Sequence, residues 1–250
     1  MRSTKAVFKK QFKGSVQNPE ILIQFMIFPL MAFMMNIFVD MEGMASDLMI
    51  YAPHMAEEML ASMPNVVTMM AAVFAGMALI PTVAGIIAED IEKKSLRFLI
   101  MAGVKPPAYL LGVGSVIFMV SVLTALAFAF VGGFGGMDFV IFIGALLSGV
   151  TASIMLGAAI GILTGNQQSA TALAMPVAMI LGFGPMIAQF NDSVARVLRP
   201  LYSQQLNVIV DYINLGTDVS LWQSFGIIWA NVLVMAVLFM VVYVRTGIKG

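Results

Sequence analysis

The side chains that could do chemistry are sparse in this chain of 250 residues, and they concentrate in one stretch. Glu89-Asp90-Ile91-Glu92-Lys93-Lys94-Ser95-Leu96-Arg97-Phe98-Leu99 is densely charged and runs on through Met101-Ala102-Gly103-Val104-Lys105-Pro106-Pro107 into Tyr109-Leu110-Leu111-Gly112. Such a charge run usually just solvates a loop. Here Ile91, Leu96, Phe98, Leu99 and Ile100 stand among the charges, and a partner surface explains both sets of residues. The pattern predicts a short helix stopped by Gly103, with the two prolines starting the next element.

Other chemistries find no residues to carry them. The chain has no cysteine, which excludes disulfides, thiolate metal sites, Fe–S clusters and cysteine nucleophiles together. Its single histidine, His54, lies in an acidic loop from Asp40 to Asn65 with Met41, Met44, Met49, Met55, Met59 and Met63. Thioethers and an imidazole can bind Cu(I). The 23 methionines are spread over the whole chain, however, so apolar packing is the stronger reading and no metal site is assigned. There is no H-E-x-x-H, no pair of intramembrane aspartates and no Walker A sequence, so no catalytic residues are assigned and the chain cannot hydrolyse ATP alone.

The elements that must position the charged stretch are membrane spans. With 60% apolar and 10% charged residues and a mean hydropathy of +0.97, the composition is that of an integral membrane protein. Hydrocarbon needs roughly 20 apolar residues per helix. Six runs meet this, at 21–39, 66–88, 108–131, 138–163, 170–190 and 221–244, and none carries Lys, Arg, Asp or Glu in its middle. Eleven of the 13 basic residues lie before the first run, between the second and third, or after the sixth. Only Arg196 and Arg199 fall on the other side, with Asp138, Asp192, Asp211 and Asp218. Both termini are therefore expected in the cytoplasm. A zero net charge argues against a nucleic-acid partner.

Residues 1–19 read as an interfacial amphipathic helix ahead of a membrane domain over 20–250. Phe8, Phe12 and Val16 form one stripe and Lys5, Lys9 and Lys13 a neighbouring one, suited to anionic lipid headgroups. In the fourth run Gly144, Ser148 and Ala152, then Gly157, Gly161 and Gly165, recur every four residues, so another helix can approach closely. Pro29, Pro81, Pro176 and Pro185 should kink their helices and free carbonyls for neighbours, and Gly182-Phe183-Gly184-Pro185 should break the fifth. Gly132-Gly133-Phe134-Gly135-Gly136 reads as a tight turn rather than a channel filter. Residues 193–214 are too polar to span and too apolar for a free loop. Either two short helices, split near Arg199-Pro200, dip back into the outer leaflet, or a partly buried helix lies on the surface.

Within the spans the polar side chains are neutral. Gln24, Asn36, Thr68 and Gln189 are the expected pathway residues, and Ser121, Thr124, Ser148, Thr151, Thr171 and Asn231 are further neutral polar side chains of the spans. A carrier coupled to an ion needs intramembrane charge, so ion-coupled transport, a channel without an ATPase, and a sensor or scaffold are the weaker alternatives.

The charged stretch resembles the motif that permease subunits of the ABC-2 family place after their second span. Glu89, Glu92, Lys93, Ser95, Leu96, Leu99 and Leu110-Leu111-Gly112 stand at the matching places. Many members have glycine before the hydroxyl residue and proline in the turn, where this chain has Lys94 and Gly103. The resemblance implies an all-α, type V exporter-like permease fold. It further implies that 89–103, within the loop 89–107, forms a coupling helix in a groove of a cassette ATPase subunit. Glu89, Asp90, Glu92, Lys93, Ser95 and Arg97 would supply polar contacts and Leu96, Phe98 and Leu99 packed ones. A second permease, identical or sister, would complete the pathway, with 193–214 closing its outer end. ATP and Mg would sit on the ATPase, leaving this chain without a cofactor. The expected setting is a bacterial plasma membrane and the cargo a hydrophobic or amphipathic drug, antimicrobial peptide or lipid-like molecule, since burying unpaired charge is costly.

Overall fold

The computed structural model describes residues 7–9, 11–14, 19–38 and 66–247. The methionine loop with His54, Lys5 and the side chains of Thr68 and Arg97 lie outside the described residues.

Every regular element among the described residues is a helix. In chain order they are α1 (Pro19–Phe38), α2 (Val66–Val73), a π-helical turn (Phe74–Ala78), α3 (Leu79–Glu92), α4 (Ser95–Met101), α5 (Pro106–Val131), α6 (Gly136–Thr164), α7 (Gln167–Phe190), α8 (Asp192–Leu198), α9 (Tyr202–Leu215) and α10 (Leu221–Gly247). The second span runs without a break through α2, the π turn and α3. Six spans result, each long and apolar enough to cross a membrane. Local chemistry sets their ends: Asn166 Oδ1 accepts the Ser169 N–H at 2.8 Å to cap α7, and Asn191 caps α8 in the same way.

Helix α6 is the hub, packed on α3, α5, α7, α9 and α10. Its small residues are the reason. A Cβ on Gly157 would sit 2.7 Å from the Ile80 carbonyl oxygen, and one on Gly161 2.6 Å from that of Ala84, so both glycines let α3 lie against the α6 backbone. The repeat does not act as one face throughout. A Cβ on Gly144 would meet only Phe225 within 4 Å among the described residues, and Gly165 stands at φ +72° and ends the helix; Gly149, outside the repeat, meets Leu206 of α9.

The fifth span corrects another expectation, since α7 continues through Gly182-Phe183-Gly184-Pro185 to Phe190. Those glycines are contact points rather than breaks. Gly182 crosses Gly76 of the π turn, where a Cβ on Gly76 would lie 2.6 Å from the Gly182 nitrogen, and Gly184 meets Leu198. The freed-carbonyl expectation has a visible counterpart at Pro29, which cannot donate to the Phe25 carbonyl; Thr124 Oγ1 of α5 lies 3.3 Å from that oxygen. The π turn itself precedes Pro81, whose missing N–H and bulky ring disfavour a regular α-helical turn there. Phe74 in that turn is fully buried and packs on Phe25, Phe28 and Phe128, with ring centroids 5.4–6.0 Å apart.

Several span hydroxyls are turned back on their own helices. Ser121, Ser148, Thr151 and Thr171 each lie 2.7–3.1 Å from the carbonyl four residues earlier. Residues 193–214 fold as α8 and α9, separated at 199–201. Asn231 of α10 holds that break, its Nδ2 donating to the Pro200 carbonyl at 2.8 Å.

Candidate coupling site

The charged stretch is two pieces rather than one helix. Glu89, Asp90 and Glu92 form the last turn of α3, Lys93 and Lys94 make the bend, and α4 begins at Ser95. Lys94 holds φ +59°, the left-handed conformation that reverses the chain between the helices, and its N–H donates to the Ile91 carbonyl at 2.9 Å.

The residues separate by the direction they face. Asp90 is buried, with its carboxylate at the meeting point of several segments. Ser95 Oγ donates to Oδ1 at 2.7 Å, Tyr109 OH of α5 donates to Oδ2 at 2.9 Å, and Gln11 Nε2 of the N-terminal helical residues donates to Oδ2 at 2.8 Å. Val7 beside Gln11 is buried at Gly112 of α5, which further seats this N-terminal segment. Leu96 is buried in the core and Leu99 is packed against it. Glu89 and Lys93 form an ion pair at the surface, which raises the Lys93 ammonium pKa through the hydrogen bond and charge of Glu89. Glu92 Oε2 accepts the Gln167 N–H at 3.1 Å and so ties α3 to α7. Phe98 and Met101 stay exposed on the outer side of α4.

Sequence reasoning placed Asp90 and Leu96 among the partner contacts, whereas both face their own chain. The signal was present: Val83, Ile87 and Asp90 share one helical face, and the first two are core residues. Tyr109 and Gln11 were missed because their role depends on a contact across 19 and 79 residues. In the N-terminal segment Lys9, Phe12 and Lys13 are exposed and the Phe8 ring stacks on Phe12 at 5.8 Å.

The expected pathway residues do not converge. Asn36 and Gln189 are exposed near the ends of α1 and α7 opposite α4. Gln24 faces a groove of about 780 Å³ between α1, α3 and α7, lined also by Thr82, Glu89, Gln167 and Thr171. Its Oε1 accepts the Thr82 hydroxyl at 2.7 Å and its Nε2 donates to the Ala78 carbonyl at 3.1 Å.

A buried carboxylate that locks a short amphipathic helix to two spans, at the end of a six-span bundle, is the local geometry. A family model described as ABC-2 family transporter protein matches residues 52–244. This chain belongs to the ABC-2 family. It is a multi-pass membrane protein and a transporter permease, of the kind that generally works with an ATPase partner. Comparison with curated proteins finds no match.

In this ABC-2 permease Lys94 keeps a glycine-like backbone. The conformation costs a non-glycine residue about 1–2 kcal/mol, part of which glycine gives back through its freer unfolded chain. Lys94→Gly is accordingly expected to stabilise the permease by about 0.5–1 kcal/mol, and Lys94→Val to destabilise it. Thermal unfolding followed by the fluorescence of Trp222 and Trp229 measures both; equal midpoints for the three proteins would disprove the strain.

Proposed function

We propose that this permease exports hydrophobic or amphipathic cargo, such as a drug, an antimicrobial peptide or a lipid-like molecule, driven by cassette ATPase subunits that dock on α4. The observation that carries the reading is the Asp90 cluster, because it makes α4, α3 and α5 one rigid piece at their junction. A push on the exposed Phe98 then moves the second and third spans instead of bending a loop. Phe98 and Met101 supply the apolar contact, and Glu89, Glu92 and Lys93 the polar rim, with Arg97 adjoining them in the sequence. ATP and Mg are held by the ATPase, and this chain's part is to receive the motion.

The termini lie in the cytoplasm of a bacterial cell, on the side of the basic residues, and a second permease, identical or sister, completes the pathway. The groove between α1, α3 and α7 supports the cargo class, since its amides and hydroxyls are set among Ile23, Ile27, Phe28 and Met175. An amphipathic molecule satisfies both kinds of wall.

Affinity purification of the full chain from its native membrane tests the docking. The wild type is expected to bring down a cassette ATPase, and Phe98→Ala with Met101→Ala to lose it while keeping the wild-type thermal midpoint. Recovery of the ATPase by the double variant would refute docking on α4. Leu96→Ala is unsuited to this test, because it opens the core.

A further inference from the structure

The π turn of the second span is held on three sides. Gly76 lies against the backbone of Gly182 on α7, and Phe74 is packed among rings from α1 and α5. On the third side Ser153 Oγ of α6 lies 2.6 Å from the Ala75 carbonyl oxygen. The Tyr202 hydroxyl lies 2.7 Å from Ser153 Oγ, and both side chains are fully buried. Tyr202 is the first residue of α9, directly after the break at 199–201.

The protons give this chain a direction. A serine hydroxyl has one proton, and the Ala75 carbonyl can only accept. When Ser153 donates to Ala75, Tyr202 must be the donor to Ser153. Ser153 also has a second acceptor, the Gly149 carbonyl of its own helix at 3.0 Å. It can therefore let go of the π turn without stranding a buried proton, which is the penalty that would otherwise make such a contact permanent.

We propose that Ser153 and Tyr202 are positioning residues for transport: a releasable hydrogen-bonded bolt that ties α9 to the π turn, so that α9 and the second span move together. The proposal rests on the export reading above for the identity of the motion it serves. A π turn is an inserted residue in a helix, and its conversion to regular α-helix rotates α2 on one side of it against α3 on the other. With the bolt closed, α2 and α3 keep their present relation and α9 stays seated. With the bolt released toward the Gly149 carbonyl, the π turn is free to convert, while Tyr202 still donates to Ser153 and keeps α9 on α6.

Hydrogen exchange on the full chain in lipid nanodiscs, with Tyr202→Phe, Ser153→Ala and the double variant, tests the bolt. Each single variant is expected to speed amide exchange in both 74–80 and 202–209 by about tenfold, the worth of one buried hydrogen bond, and the double variant to add little more. Acceleration confined to the mutated helix, or additive effects, would overturn the proposal. Export by the complete complex supplies the second readout, with Tyr202→Phe expected to lower kcat several-fold while leaving the KM for cargo in place. Coupled exchange with an unaltered kcat would overturn the role in transport. Failure of the export reading looks different, since the wild type itself would then show no ATP-dependent export with its exchange pattern intact.

Discussion

Asp90→Ala is expected to accelerate amide exchange across α4 by about 30-fold, equivalent to about 2 kcal/mol. The variant removes the acceptor for Ser95, Tyr109 and Gln11 in one step. Tyr109 is fully buried, so its hydroxyl is stranded rather than rehydrated, and a stranded buried donor costs about 1–3 kcal/mol. The remaining donors stand closer to solvent and recover part of their loss. In the export reading the same change separates ATP hydrolysis from transport, because α4 still binds its partner through Phe98 while its junction with α3 and α5 gives way. Asp90→Asn distinguishes geometry from loss: its Oδ1 still serves two donors, and its amide can donate to Ser95 Oγ, so exchange should rise only a few-fold. An unchanged α4 in Asp90→Ala would mean that Leu96 packing alone holds the helix.

Gly161→Val is expected to cost about 3 kcal/mol or more and to abolish monodisperse protein. Its Cβ would stand 2.6 Å from the Ala84 carbonyl oxygen and 2.9 Å from Ile87 Cβ. The first obstacle is backbone, which yields only if the whole of α3 moves away from α6. Those two helices share one of the largest contacts in the bundle, and α3 also carries Asp90. Gly226→Ala is the matching control, for a Cβ there meets nothing within 4 Å among the described residues, and the loss of a helical glycine should be neutral or slightly stabilising. Size-exclusion profiles and the thermal midpoint read both. A well-behaved Gly161→Val with a wild-type midpoint would show that the α3–α6 seam is looser than its geometry.

The spans were legible because lipid imposes one crude requirement, a run of apolar residues long enough to cover a helix backbone. The interruption of 193–214 near Pro200 was legible for a similar reason, since proline and mixed polarity act locally. The close approach at Gly157 and Gly161 could be read from spacing alone. Other features gave local signals that pointed the wrong way. Gly182-Phe183-Gly184-Pro185 has the composition of a break, yet α7 runs through it because Gly76 and Leu198 fill the space beside its glycines. Lys94 lacks the freedom of glycine, yet the reversal from α3 into α4 imposes φ +59° on it.

Hydropathy, which depends on each residue's own transfer from water, decided which helices are long and apolar enough to cross the membrane. Pairing was decided only by the packed bundle. The partners of Asp90, the Ser153 contact with Ala75 and Tyr202, and the turning of span hydroxyls onto their own carbonyls all depend on atoms meeting within about 3 Å. That distance is smaller than the uncertainty in any helix rotation inferred from periodicity, and it is set by which glycines allow which backbones to touch.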